Sequence, residues 1–114
     1  MLADIPPEII RVVVESMQET GLGERETGST TLVMALSDHV ANAVERVRRG
    51  IDITYPLLGE VSNLYPQEYA QGRAMLASLN VRLDVTLPDG EATALAMHLV
   101  NAASPPATCP IRTR

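Results

Sequence analysis

The chain has 114 residues, 46% of them hydrophobic, and a formal net charge of −5 at pH 7. This length supports one domain with a single core, and the hydrophobic content excludes a disordered chain. The negative charge argues against direct binding to a nucleic-acid backbone, which needs a basic face. Aromatic residues make up only 3% of the chain, so the core must be aliphatic, which suits packed helices.

The cysteine content and the N-terminal sequence predict the cellular compartment of the protein. Cys109 is the only cysteine, so no disulfide can form within the chain and a reducing environment is expected. The first ten residues carry acids and prolines where a signal peptide needs a basic and then an apolar run. No apolar stretch approaches the ~20 residues that span a bilayer. We therefore expect a cytoplasmic protein without membrane contact.

Two helices are predicted in the first half of the chain. Pro6, Pro7 and Glu8 suit a first helical turn, and apolar residues then recur at helical spacing at Ile9, Val12, Val13 and Met17. Residues 21–28 contain three glycines and are predicted to form a loop. Ser29 or Thr30 can cap the second helix, which ends at Gly50 after arginines in its last turn. Its apolar stripe is Val33, Leu36, Val40, Ala43 and Val47.

Three further helices are predicted in the second half. Residues 51–55 form a link, and Pro56 opens a short helix over 57–64. Pro66 begins a fourth helix with the stripe Tyr69, Leu76, Leu79 and Leu83. Pro88 and Asp89 begin the last helix, which ends near Ala103 and has the stripe Ala92, Leu95, Leu99 and Ala102. These elements predict an all-α, five-helix, bundle-like domain over residues 1–103, followed by an irregular proline-rich tail over 104–114.

The two histidines of the chain share one motif, Leu-x-x-His-x-x-Asn-Ala. The first copy contains His39 and the second contains His98. At 100° per residue, each histidine lies on the flank of its apolar stripe, half packed and half reachable at the edge of a groove. Arg46 shares the flank of His39 two turns later, whereas Asp38 points further away. On the His98 side, Glu91 lies two turns before the histidine and Asn101 lies one turn after it.

Several functions are compatible with such histidines. They can be ordinary boundary residues hydrogen-bonded to their neighbours. Two histidines and a carboxylate can bind zinc, but no Glu-x-x-His, His-Glu-x-x-His or paired cysteine supports a metal site. No serine elbow, phosphate-binding loop or paired catalytic carboxylate indicates an enzyme, and no cofactor is expected.

Phosphorylation of the imidazoles is another function that these positions permit. Histidine is partly neutral and nucleophilic near pH 7, and a phosphoryl group adds close to two negative charges. At a boundary between helices, that charge can shift packing or association without catalysis by this chain. Arg46 and the amides of Asn42 and Asn101 are candidates to contact the phosphoryl oxygens.

Three runs together resemble a known family: LSDHVANAVERVRRG, YPLLGEVSNLYPQEYAQG and TLPDGEATALAMHLVNA. The chain resembles, from about Ile5 to Ala103, the PTS regulation domain (PRD) of the BglG/SacY-type transcriptional antiterminators. Two separated histidine motifs, with the Pro-Leu-Leu and Tyr-Pro segments between them, carry the resemblance. Asn42 departs from the family pattern, in which this position is usually aromatic.

The resemblance implies a homodimeric helical domain without a catalytic centre. His39 and His98 match the positions phosphorylated by the sugar phosphotransferase system, through the phosphocarrier protein HPr or an enzyme II. Asp38, Arg46 and Asn101 match neighbouring motif positions and are supporting residues. Phosphorylation at these positions is expected to control dimerisation and the activity of a linked output domain. RNA is expected to bind only through a separate domain that this chain does not contain.

Two other functions remain open. A helical dimerisation module without phosphorylation is compatible with the polar Asn42. Nucleic-acid binding through Arg46, Arg48 and Arg49 is a weaker alternative, because positive charges at a helix C-terminus are commonly solvated partners of the helix dipole.

Overall fold

The computed structural model describes residues 5–51 and 58–103. These residues contain six helices and no strand. The helices are α1 (Pro7–Glu19), α2 (Glu24–Thr27), α3 (Thr30–Arg48), α4 (Leu58–Leu64), α5 (Pro66–Leu83) and α6 (Glu91–Ala103). The predicted all-α class is confirmed, with one more helix than expected. The predicted link over 51–55 and the tail lie largely or wholly outside the described residues.

The additional helix, α2, replaces part of the predicted loop at 21–28. The Glu26 carboxylate accepts a hydrogen bond of 3.1 Å from the backbone N–H of Gly23, before the first turn. Glu24 and Glu26 also place negative charge at the N-terminal end of the helix dipole. The glycines therefore limit α2 to four residues but do not prevent it.

The ends of α3 follow the sequence prediction closely. The Ser29 hydroxyl accepts a hydrogen bond of 3.2 Å from the backbone N–H of Leu32, which makes Ser29 the N-cap. At the other end, Gly50 has φ of +72°, a left-handed conformation that glycine adopts without a Cβ penalty. The Gly50 N–H donates to the Val47 carbonyl, and the Ile51 N–H donates to the Arg46 carbonyl, closing a Schellman motif.

The core joins α1, α3, α5 and α6. It contains the whole predicted stripe of α1, most of the stripes of α3 and α6, and half of the stripe of α5. Val47, Tyr69 and Leu83 are partly buried beside it. Ala102 is exposed, so the prediction that it faces the core is wrong. It lies in the last turn of α6, beyond the position where the core ends. No helix in the described part of the chain has the length and apolar character needed to span a membrane.

The helices α5 and α6 approach each other closely at Gly72. A Cβ atom at this position would be 2.5 Å from the Ala92 carbonyl oxygen and 3.1 Å from the Ala96 backbone nitrogen. A side chain larger than hydrogen would therefore push the two helices apart. The contact lies in the first two turns of α6, at Ala92 and Ala96, and so holds the N-terminal part of that helix, including Glu91, against α5.

Candidate functional site

A buried carboxylate joins α6 to α3. Glu91 is the first residue of α6, and only 3% of its side chain is exposed. Its Oε1 lies 2.5 Å from His39 Nε2, and its Oε2 accepts a hydrogen bond of 3.1 Å from Arg46. Both partners come from α3, two turns apart on the flank that the helical spacing predicts. The N-terminal dipole of α6 further favours negative charge at this position.

The second histidine lies beside the first. The ring centroids of His39 and His98 are 5.6 Å apart, with the ring planes tilted by 60°. Both residues are partly exposed, and 19% of the His39 side chain is accessible. Two motifs that are distant in sequence therefore form one site where α3 packs against α6.

The surroundings of His98 favour its neutral form. Burial lowers the pKa of His98 below its ordinary value, and the neighbouring His39 lowers it further, while Asp38 opposes both effects. Burial acts in this direction because a charged imidazolium loses water contacts when it is partly covered. A larger fraction of His98 is thus unprotonated, and so nucleophilic, near neutral pH.

The supporting residues predicted from sequence divide into two groups. Arg46 joins the site through Glu91, and Asp38 lies close enough to His98 to affect its pKa. Asn42 and Asn101 are exposed and, within the described residues, form no side-chain hydrogen bond to either histidine. The structure therefore does not bring these two amides into the network.

Glu91 is central to the site, although neither histidine motif contains it. Helical spacing placed it on the side of His98, whereas its observed partners are His39 and Arg46. The acid in the first turn of α6 was a signal, but the spacing within one helix does not reveal which neighbouring helix it faces. The described residues contain no cluster of three or more His, Cys, Asp or Glu side chains suited to a metal ion.

The arginines at the end of α3 do not form one continuous basic face. Arg46 turns inward to Glu91, whereas the exposed Arg49 pairs with Glu45 at 2.8 Å. Positive charges that are already compensated attract a phosphate backbone weakly. This arrangement argues against a nucleic-acid site at this end of the helix.

The comparisons with known proteins agree with this architecture. The fold and the paired histidines define an all-helical domain with a single, partly exposed histidine site. The family model described as "PRD domain" matches residues 13–102, and the chain belongs to this family. The crystal structure of GlcT CAT-PRDI superposes with a TM-score of 0.78 and 25% identity, covering 90% of this chain and 61% of that one.

Two curated relatives are named as antiterminators. The chain is 34% identical over 102 residues to the transcription antiterminator LicT of Bacillus subtilis, covering 90% of this chain and 37% of LicT. It is 38% identical over 105 residues to the beta-glucoside operon antiterminator of Dickeya chrysanthemi, covering 89% of this chain and 37% of that protein. The chain thus spans little more than a third of either relative. The expected regulatory, non-enzymatic class is confirmed by this family membership.

Proposed function

We propose that the chain is the regulatory module of a transcriptional antiterminator or related regulator, controlled by phosphorylation of His39 and His98. The observation that carries this proposal is the meeting of the two partly exposed imidazoles, 5.6 Å apart, beside Arg46 and Glu91. Family membership and the names of the relatives support a regulatory role. The phosphodonors that the resemblance implies are HPr and an enzyme II, which act in the cytoplasm.

The proposed switch is electrostatic. A phosphoryl group adds about −1.5 to −2 charges near pH 7, and here it arises on rings that lie where α3 packs against α6. Competition between this charge and Glu91 for the Arg46 guanidinium disturbs the contact between α3 and α6. The packing of these helices in turn biases homodimer formation, and the dimer state controls an RNA-binding or DNA-binding domain elsewhere in the full protein.

Phosphorylation can be tested with the chain and its two histidine variants. The chain is incubated with phosphorylated HPr or with a phosphorylated enzyme II domain. Phosphorylation is measured as an increase in intact mass that is lost after acid treatment. We expect His39→Ala and His98→Ala each to remove one site. Because the chain has only two histidines, the double variant should carry no label. Unchanged mass of the unaltered chain with every donor would refute the proposal.

A second candidate function is a constitutive helical dimerisation module. The observation in its favour is that Glu91 already pairs with both His39 and Arg46, so the network is satisfied without a phosphoryl group. Sedimentation of His39→Asp and His98→Asp separates the two functions, because aspartate supplies part of the phosphoryl charge. A shift in association supports the switch, whereas unchanged association of both variants supports the constitutive module.

A further inference from the structure

We propose that Glu91 orients His39 so that Nδ1, and not Nε2, accepts the phosphoryl group. This inference rests on the proposed function, because it concerns the atom through which phosphorylation occurs. It assigns Glu91 the role of a positioning residue, which acts on the accepting ring and does not itself contact the phosphoryl donor.

The position of the ring proton follows from the hydrogen bonds of Glu91. Its Oε2 accepts from the Arg46 guanidinium, which favours the carboxylate form, and its Oε1 lies 2.5 Å from His39 Nε2. A carboxylate offers only acceptor lone pairs. Nε2 must therefore carry the hydrogen and donate it to Glu91, which leaves the lone pair of the neutral ring on Nδ1. Within the described residues, no side-chain hydrogen bond occupies that nitrogen.

Phosphoryl transfer from an N-phosphohistidine donor is balanced in this arrangement. The Nδ1 lone pair of His39 attacks phosphorus, and the Nδ1–P bond forms as the N–P bond of the donor breaks. The donor nitrogen retains the electron pair of that bond. The His39 proton stays on Nε2, where the Glu91 carboxylate stabilises the positive charge that develops on the ring.

Transfer of the phosphoryl group to Nε2 would disrupt the hydrogen bond between His39 and Glu91. The nitrogen would have to leave Glu91, and the incoming dianion would lie next to a buried carboxylate. Both changes are unfavourable because like charges repel strongly in a site that is largely shielded from water. His98 provides a contrast within the chain, since in the described residues no carboxylate forms a hydrogen bond with its ring.

The ring proton can be tested before any phosphorylation. The full chain is prepared with ¹⁵N-labelled histidine, and long-range ¹H–¹⁵N correlation spectra identify the tautomer of each neutral ring. We expect His39 to be protonated at Nε2. A charge-assisted hydrogen bond contributes enough to favour this tautomer about tenfold or more. A His39 ring protonated at Nδ1 would overturn the inference.

The accepting atom is then identified in the phosphorylated chain. After treatment with phosphorylated HPr, ¹⁵N–³¹P coupling shows which nitrogen of His39 bears phosphorus, and we expect Nδ1 in at least about tenfold excess over Nε2. In Glu91→Gln the amide can either donate or accept, so the excess should fall to a mixture of isomers. Glu45→Gln is the matched control, because Glu45 is exposed and pairs with Arg49, and the excess should remain unchanged.

The outcomes separate this inference from the proposed function. Phosphorus on Nε2 of His39 in the unaltered chain overturns the role of Glu91 but leaves phosphorylation intact. If folded Glu91→Gln has the same ratio of Nδ1 to Nε2 phosphorylation as the unaltered chain, the role of Glu91 is also overturned and phosphorylation itself is still supported. No phosphate on either ring refutes the proposed function, while the tautomer measurement still tests Glu91. If circular dichroism shows that Glu91→Gln is unfolded, the tautomer and isomer of the unaltered chain decide the question.

Discussion

Replacing Gly72 by alanine tests whether the close packing of α5 on α6 holds the domain together. The new Cβ would lie 2.5 Å from the Ala92 carbonyl oxygen, whereas an ordinary contact begins at 3.4 Å. The opposing atom belongs to the backbone, so no side-chain rotation can relieve the overlap. One helix must move by nearly 1 Å, taken as the difference between these two distances.

Two opposing effects set the size of the change in stability. Overpacking of this kind costs up to about 3 kcal/mol. Alanine in a helix interior is favoured over glycine by about 1 kcal/mol. The expected net loss is therefore about 2 kcal/mol in the free energy of unfolding. For a domain of this size, that loss lowers Tm by roughly 8 °C.

Thermal and urea unfolding, followed by circular dichroism, measure this loss. Gly59→Ala is the matched control, because Gly59 lies in α4 and a Cβ there would have no atom within 4 Å. We expect the control to be as stable as the parent chain, or up to about 1 kcal/mol more stable. A Gly72→Ala variant at least as stable as the parent chain would contradict the packing argument.

Three other predictions concern single side chains. Ser29→Ala removes the N-cap of α3 and should cost about 1 kcal/mol in urea unfolding; no loss would show that the cap is not stabilising. Ser37→Ala removes a buried hydroxyl without a hydrogen-bond partner in the described residues and should leave stability unchanged or higher. By contrast, Ser16→Ala removes the acceptor of a partly buried hydrogen bond of 2.9 Å from the Ser78 hydroxyl and should cost about 1 kcal/mol. NMR titration should give His98 a pKa below 6.5, and His39→Gln should raise that pKa part of the way back. Below pH 6.5 the unfolded chain binds more protons at His98 than the folded chain does, so this histidine should make stability fall as pH drops from 6.5 toward the folded pKa. A pKa of His98 at or above 6.5 would contradict the burial argument.

The helix boundaries were predictable where local chemistry determines them. Pro66 begins α5, and Ser29 and Gly50 delimit α3, because prolines, caps and left-handed glycines act through neighbouring backbone groups. The helix α2 was missed for the converse reason. Three glycines favour a loop in general, but the Glu26 side chain bonds back to Gly23 and stabilises one short turn.

The candidate site was only half predictable. Spacing within α3 correctly put His39 and Arg46 on one flank, and spacing within α6 put Glu91 and His98 on one side of that helix. The amides of Asn42 and Asn101 were predicted as contacts for phosphoryl oxygens, and both are exposed to solvent. An exposed amide has water as an alternative partner, so its position on a helix face does not determine its contacts.

The sequence by itself determined the helical class, the apolar faces and the family resemblance carried by the two histidine motifs. These properties depend on residues within a few turns of one another. Only the tertiary structure decided that the two imidazoles lie 5.6 Å apart and that one buried carboxylate bonds to both His39 and Arg46. The physical reason is that the packing of α6 against α3 and α5, including the contact at Gly72, brings together residues that no periodicity along the chain relates.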